Sequence, residues 1–156
     1  MFRGRILQAG IAICVVAAAV LGSGSAASAA PSSFTAASVH ANGAGKIGVE
    51  AIGGMNWGNR SVTLTSVKFY ANAGECGYFR AEGYQGSTLI DYRYAPVTGN
   101  GSYCGGTTGK WFTIGTFTLD ASTTPGGITN VEIMVVDQTH KGSAIIDCYR
   151  SAALCL

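Results

Sequence analysis

Charged residues are scarce in this sequence and make up 12% of its 156 residues. Ten are basic and eight are acidic, but Arg3 and Arg5 lie in an amino-terminal segment that we expect to be removed. The remaining chain then carries eight residues of each sign and no net charge. A neutral domain with few charges has little attraction for phosphate backbones or anionic membranes. The composition therefore argues against a nucleic-acid-binding protein.

Residue patterns that build reactive centres are missing as well. After the amino-terminal segment there is no G-x-S-x-G nucleophile motif, no C-x-x-C pair for zinc and no D-x-D run for calcium. Residues 43–48 fit G-x-G-x-x-G, but strand-like residues follow this match, whereas dinucleotide binding requires a helix there. We therefore predict no enzyme active site, no metal site and no cofactor.

Two sets of titratable residues leave alternatives open. His140 lies beside Asp137 and Lys141, and we interpret this stretch as the polar tip of a hairpin, with a catalytic histidine as the alternative. The carboxylates are spread about one to a segment, so any two could meet in the fold and support glycoside hydrolysis. These carboxylates are Glu50, Glu75, Glu82, Asp91, Asp120, Glu132, Asp137 and Asp147.

The amino terminus has the composition of an export signal. A short basic stretch ending at Arg5 precedes an apolar run over 11–21, and residues 27–29 form an A-x-A cleavage site. A helix of about 11 residues rises only about 16 Å, too short for a hydrocarbon core of about 30 Å. Cys14 lies inside the apolar run, which argues against a lipid anchor. We predict that residues 1–29 are removed, that the protein is secreted and that it is not inserted in a membrane.

Removal of that segment leaves four cysteines, Cys76, Cys104, Cys148 and Cys155. In an exported chain an even number of cysteines indicates disulfide bonds, here two. Three pairings are open, and closeness in sequence favours Cys76–Cys104 with Cys148–Cys155. Oxidised cysteines leave no thiolate nucleophile.

The rest of the chain alternates apolar stretches with clusters of Gly, Asn, Ser and Thr. Seven predicted strands without a sustained helical period indicate an all-β fold, an antiparallel two-sheet sandwich of immunoglobulin-like or jelly-roll type. We predict one domain over 46–156, after a flexible lead-in over 30–45. Side-chain alternation also predicts bulges near Ser66 and Gly115 and a central position for the strand that carries Ile133. The predicted strands span 47–57, 62–70, 78–84, 88–94, 111–119, 128–136 and 144–149.

Aromatic residues are the most suggestive feature for function. Flat rings among many hydroxyl groups suit stacking on sugars, and the candidate ligand-binding aromatics are Trp57, Trp111, Tyr92, Tyr94 and Tyr103. The other interpretation is that both tryptophans are core residues and the tyrosines are ordinary strand residues.

The carboxyl terminus offers a second functional hypothesis. The stretch 148–155 opens with C-x-R-S and resembles the reactive loop of Bowman–Birk serine protease inhibitors. The resemblance implies that Arg150 enters a trypsin-like pocket and that Ser151 follows the scissile bond. Ala152 and Ala153 stand where that family has two prolines. The other interpretation is a disulfide that pins the chain end.

The alanine-rich segment ending at 27–29, the scarcity of lysine and the four-cysteine pattern resemble those of small secreted proteins of high-GC Gram-positive bacteria. This resemblance implies export and an all-β fold. The abundant aromatic residues and the missing catalytic motifs lead us to predict a secreted, non-catalytic module that either binds an extracellular glycan, protein or cell surface or has a structural role. The alternatives are a serine protease inhibitor and a small secreted hydrolase, and the oligomeric state stays open.

Overall fold

A computed structural model describes residues 29–39, 45–97 and 101–156. The predicted export signal lies outside the described residues except for Ala29, and so do Cys14 and His40. Among the described residues, no helix is long and apolar enough to cross a membrane.

The described chain is all-β, with nine strands in two antiparallel sheets, as the sequence predicts. The first sheet has four strands in the order β1-β2-β3-β7. The second has five, in the order β5-β4-β8-β9, with β6 pairing β4 on the same edge as β5. The strands are β1 Ser33–Val39, β2 Ile47–Trp57, β3 Val62–Ala71, β4 Cys76–Gln85, β5 Thr88–Ala95, β6 Tyr103–Cys104, β7 Lys110–Leu119, β8 Asn130–Asp137 and β9 Gly142–Tyr149.

The seven predicted strands are all present, and two were not predicted. The prediction of a flexible lead-in over 30–45 is wrong for Ser33–Val39, which is β1 and pairs with β2. Alanine and serine have low strand propensity, which hides the alternation of Phe34, Ala36 and Ser38 toward the core. Contacts of β1 with β8 and β9 of the other sheet outweigh that weak local preference.

The two sheets pack face to face over one core. Strand β1 lies against β8 and β9, and β3 lies against β4, so the edge strands β5 and β7 meet at one side of the sandwich. Alternate residues of each strand point inward, and the largest fully buried side chains include Phe69 of the first sheet and Phe79 of the second. Strands β1 to β3 form a meander in one sheet, whereas the third strand of immunoglobulin constant domains belongs to the other sheet.

Both predicted bulges are present. The register between β3 and β7 shifts between Leu64 and Val67 and again between Val67 and Lys68. Two residues here have a positive φ, Ser66 of β3 at 51° and Gly115 of β7 at 100°. The shift returns Val67 and Phe69 to the buried face that Val62 and Leu64 occupy. Strand β8 is central, between β4 and β9.

The preferred cysteine pairing is confirmed, with disulfides Cys76–Cys104 and Cys148–Cys155. The first joins β4 to β6, where the two cysteines are register partners. The second ties the end of β9 to the carboxyl terminus. In the chain-entropy description these links restrict the unfolded chain by about 3.6 and about 2.5 kcal/mol, respectively.

Candidate functional site

The outer face of the five-stranded sheet concentrates aromatic and acidic side chains. Strand β4 alternates buried Phe79 and Ala81 with outward Arg80 and Glu82, and the register carries this alternation to the neighbouring strands. We call this surface the tyrosine face. Its residues are Tyr78, Arg80, Glu82 and Tyr84 of β4, Tyr92 and Tyr94 of β5, Glu132 and Met134 of β8, and Ile145, Asp147 and Tyr149 of β9.

Two predicted ligand-binding residues, Tyr92 and Tyr94, lie together at the edge of this face. Their side chains are 50% and 41% exposed, and their ring centroids are 5.4 Å apart at an interplanar angle of 76°. The guanidinium carbon of Arg80 lies 5.1 Å from the centroid of the Tyr94 ring, within the range of a cation–π interaction. The two rings therefore form an exposed aromatic edge, and the Arg80 guanidinium lies against one of them, Tyr94.

Three carboxylates continue the face across three adjacent strands. Glu82 is the register partner of Tyr92 on one side and of Glu132 on the other, and Glu132 is the partner of Asp147. Residues directly opposite in antiparallel strands have Cβ atoms about 4.5–5.5 Å apart. The face therefore places one guanidinium beside three carboxylates and is acidic overall.

Glu82 is held in place by its neighbours. It is only 2% exposed although it lies on an outer face, it forms an ion pair with Arg80, and it accepts a hydrogen bond from the Tyr84 hydroxyl. Burial raises the pKa of the Tyr84 phenol, and the nearby Glu132 carboxylate raises it further. A phenol that stays protonated remains a donor to Glu82, so the middle of the face is preorganised.

The other predicted aromatics lie elsewhere, so the five do not form one row. Trp57 is half-buried, and its Nε1 donates to the Pro31 carbonyl at 2.9 Å. Trp111 is 44% exposed on the outer face of the other sheet, where it packs against Tyr70 at a centroid distance of 5.2 Å. Tyr103 packs between Phe69 and Phe112 of the core, and burial raises its pKa.

A cleft of about 200 Å³ opens between the edge strands β5 and β7, beside the tyrosine face. Tyr94 belongs to both surfaces, and Tyr103 lines the cleft. The cleft is smaller than typical small-molecule pockets, which have volumes of about 300–1,000 Å³. Its remaining lining residues are Phe79, Arg93, Ala95, Val97, Ile114, Thr116 and Phe117.

The Cys148–Cys155 loop folds back on the sandwich. Arg150 donates from Nε to the Ile128 carbonyl at 3.2 Å and from Nη1 to the Asn59 carbonyl at 3.3 Å. Its guanidinium carbon lies 5.2 Å from the centroid of the Trp57 ring. Ser151 is exposed. A residue that enters a protease pocket must project from its loop, and Arg150 is instead engaged with the body of the protein.

A third group of polar side chains lies at the β8–β9 turn. Nδ1 of His140 is 2.8 Å from Oε2 of Glu75 and 3.8 Å from Oδ2 of Asp137. The turn itself confirms the predicted polar hairpin tip. The sequence analysis did not identify Glu75 as a neighbour of His140. Glu75 precedes β4 and lies 62 residues before Asp137, and no sequence pattern indicates that the two acids meet. Only the register of β4 with β8, in which Gly77 pairs with Asp137, brings them together.

Comparisons of the chain with protein-family models, with curated proteins and with solved structures gave no match.

Proposed function

We propose that this protein is a secreted, non-catalytic module that binds an extracellular glycan through the tyrosine face. The observation that carries this proposal is the pair Tyr92 and Tyr94, exposed side by side and followed across the sheet by carboxylates. The prediction that the protein is not an enzyme is part of the same proposal.

The chemistry of the face suits sugars. An aromatic ring packs against the apolar C–H surface of a sugar, and carboxylates accept hydrogen bonds from its hydroxyl groups. Because the ordered network of Arg80, Glu82 and Tyr84 is formed before any ligand arrives, binding loses less conformational entropy. The excess of carboxylates favours a neutral or amino-bearing glycan over an acidic one, since like charges repel.

Export is supported by the two disulfides, because such bonds persist in oxidising compartments. It is also supported by the signal-like composition of residues 1–29. Both observations are compatible with an extracellular ligand.

Retention of the oxidised protein on insoluble chitin, cellulose and bacterial cell-wall glycan tests the proposal. We expect retention on at least one neutral or amino-bearing glycan, with an affinity loss of about tenfold or more in Tyr92→Ala/Tyr94→Ala. The matched control is Tyr70→Ala/Trp111→Ala, which removes the aromatic pair on the outer face of the other sheet and leaves retention within about twofold.

Failure of retention on every glycan would rule out this function. Equal losses in the two double variants would contradict the assignment to the tyrosine face. An acidic polysaccharide that binds more tightly than neutral ones would contradict the charge argument.

Hydrolysis of the glycan is a second candidate, favoured by the register of Glu132 with Asp147. Retaining glycosidases hold two carboxyl groups about 5–5.5 Å apart, and carboxyl groups on opposite residues, whose Cβ atoms are about 4.5–5.5 Å apart, can reach that separation. Release of reducing ends that is lost in both Glu132→Gln and Asp147→Asn would establish it. Binding without release supports the non-catalytic module.

Protease inhibition is the less favoured alternative, because Arg150 is bonded to two carbonyls and packed on Trp57. Titration of trypsin with excess protein is therefore expected to leave its activity unchanged. Stoichiometric inhibition that disappears in Arg150→Ala would restore the inhibitor hypothesis.

A further inference from the structure

Although the sequence led us to predict no metal site, we propose that Glu75, Asp137 and His140 form a binding site for a divalent transition-metal ion, with zinc as the representative metal. The site lies at the end of the sandwich that carries the β8–β9 turn and is formed by none of the residues of the tyrosine face. It therefore stands independently of glycan binding.

The backbone holds the three side chains in place. Asp137 is the last residue of β8, and its Oδ1 accepts hydrogen bonds from the backbone N–H groups of Thr139 and His140 at 3.0 and 3.1 Å. The hydroxyl of Thr139 accepts from the backbone N–H of Cys76, and the N–H of Gln138 donates to the Cys76 carbonyl. Glu75 directly precedes Cys76 in the chain. These bonds between the turn and Cys76 therefore hold the turn next to the Glu75 carboxylate.

One buried oxygen points into the cluster and has no hydrogen-bond donor. Asp137 is 1% exposed, and its Oδ2 accepts no hydrogen bond from the part of the chain that the structure describes. The same carboxylate uses its other oxygen for the turn. A buried carboxylate oxygen without a hydrogen-bond donor is costly, and a cation between it and its neighbours would offset this cost.

The spacing of the three ligand atoms is close to that of a zinc site. Ligand atoms about 2.0–2.1 Å from a tetrahedral zinc ion lie about 3.3 Å from one another. The two distances from Nδ1 of His140, 2.8 and 3.8 Å, lie on either side of this value. All three atoms are within 4.8 Å of one another, so small side-chain rotations bring them to one ion.

Charge and donor type point to the same class of ion. Two carboxyl groups that are almost fully buried face one imidazole, and a divalent cation between them would balance two carboxylate charges. Imidazole nitrogen together with carboxylate oxygen suits zinc and its neighbours in the periodic table. Calcium takes 6–8 oxygen ligands and has little use for a histidine.

Isothermal titration of the intact, oxidised protein with zinc chloride tests the site. We expect one ion per chain, no comparable binding of calcium, and an affinity at least about tenfold lower in His140→Gln and in Asp137→Asn. Asp137→Asn keeps an oxygen for the backbone N–H groups of the turn and replaces only the inward oxygen. Glu50→Gln removes a carboxylate from the other sheet and is the matched control, with unchanged affinity.

Thermal unfolding provides a second readout that separates metal binding from a structural ion pair. Zinc that binds only the folded protein raises the melting temperature of the natural chain and of Glu50→Gln, with little effect on His140→Gln. If zinc leaves the melting temperature unchanged while His140→Gln lowers it, the cluster is a structural ion pair and the proposal is wrong. Zinc binding that Asp137→Asn and His140→Gln leave intact also overturns it.

Discussion

The two outer faces of this sandwich differ far more than its two inner faces. Inward residues of both sheets are mostly aliphatic or aromatic, whereas the outer face of the four-stranded sheet is rich in threonine, with Thr63 and Thr118 hydrogen-bonded across strands at 2.9 Å. The opposite outer face carries five of the seven tyrosines and three carboxylates. The core constrains the inner faces of both sheets equally, so the chemistry that distinguishes this protein is free to vary on the outside.

Even the aromatic residues behave differently on the two outer faces. Tyr70 and Trp111 pack on each other, and the Tyr70 hydroxyl donates to Asn72 at 3.3 Å. Tyr92 and Tyr94 are instead continuous with a charged network that includes Arg80. An aromatic pair next to ordered polar groups can provide both stacking and hydrogen bonds, and this is why the tyrosine face is the better candidate for a ligand.

The largest loss of stability is expected from substitutions on the inner faces, where the two sheets are alike. Phe69 and Phe79 are both 0% exposed, one from each sheet. Phe69→Ala and Phe79→Ala are each expected to lower the free energy of unfolding by about 3–5 kcal/mol, because each leaves a cavity in the shared core. Urea denaturation measures both, and a cost below about 1 kcal/mol for either would show that its sheet contributes little to the core.

A smaller difference should separate the two outer faces. Arg80→Met leaves the buried Glu82 carboxylate without its cation, and we expect a loss of about 2 kcal/mol in the free energy of unfolding, less than for a fully buried pair because Arg80 is partly exposed. Lys68→Met, on the exposed outer side of β3, is the matched control, expected within about 0.5 kcal/mol. If urea denaturation gave equal losses for Arg80→Met and Lys68→Met, the proposed electrostatic difference between the two outer faces would be wrong.

Alkaline pH is expected to act on the tyrosine face through Tyr84. Its pKa is raised in the folded protein by burial and by Glu132, so the folded state retains the phenolic proton longer than the unfolded state. The resulting stabilisation is complete below the pKa of the unfolded chain, about 10, and is lost as the pH rises through the folded pKa. Stability measured against pH should therefore fall less steeply in Tyr84→Phe than in Tyr70→Phe, and identical slopes would contradict the role given to Tyr84.

The smallest effect is expected on the threonine-rich face. Thr63→Val/Thr118→Val removes both partners of an exposed cross-strand hydrogen bond and leaves no unsatisfied group. We expect the free energy of unfolding to change by no more than about 0.5 kcal/mol, since valine has the same shape and a high strand propensity. Retention on the glycan should stay unchanged, and a loss would place the binding site on this face.

Local patterns were sufficient for much of the fold. The seven predicted strands and the bulges at Ser66 and Gly115 follow from alternation and turn residues, and closeness in sequence favoured the cysteine pairing that the structure has. Strand β1 was missed because its inward residues, Phe34, Ala36 and Ser38, are mostly small and read as a polar segment. Its strand conformation depends on pairing with β2 and on contact with the other sheet, which a local pattern does not contain.

The candidate sites depend even more strongly on contacts between distant parts of the chain, which local sequence patterns do not contain. Tyr92 and Tyr94 could be named from the sequence, because alternation alone places them on one face of one strand. Glu82, Glu132 and Asp147 could be listed but not joined, since their neighbourhood depends on the registers of β4, β8 and β9. The meeting of Glu75 with His140 depends in addition on the turn that folds back onto Cys76.

By itself, the sequence determined the class of the fold and the period with which side chains face the core or the solvent, and it favoured one of three pairings of its cysteines. These properties depend on residues close together in the chain, or on simple counting. Only the tertiary structure decided which carboxylates share a face and which aromatic pair lies beside them, and it alone brought His140 to two buried acids. Strand register is a cooperative property of the whole core, and a shift of one residue would have placed every one of these side chains on the other side of its sheet.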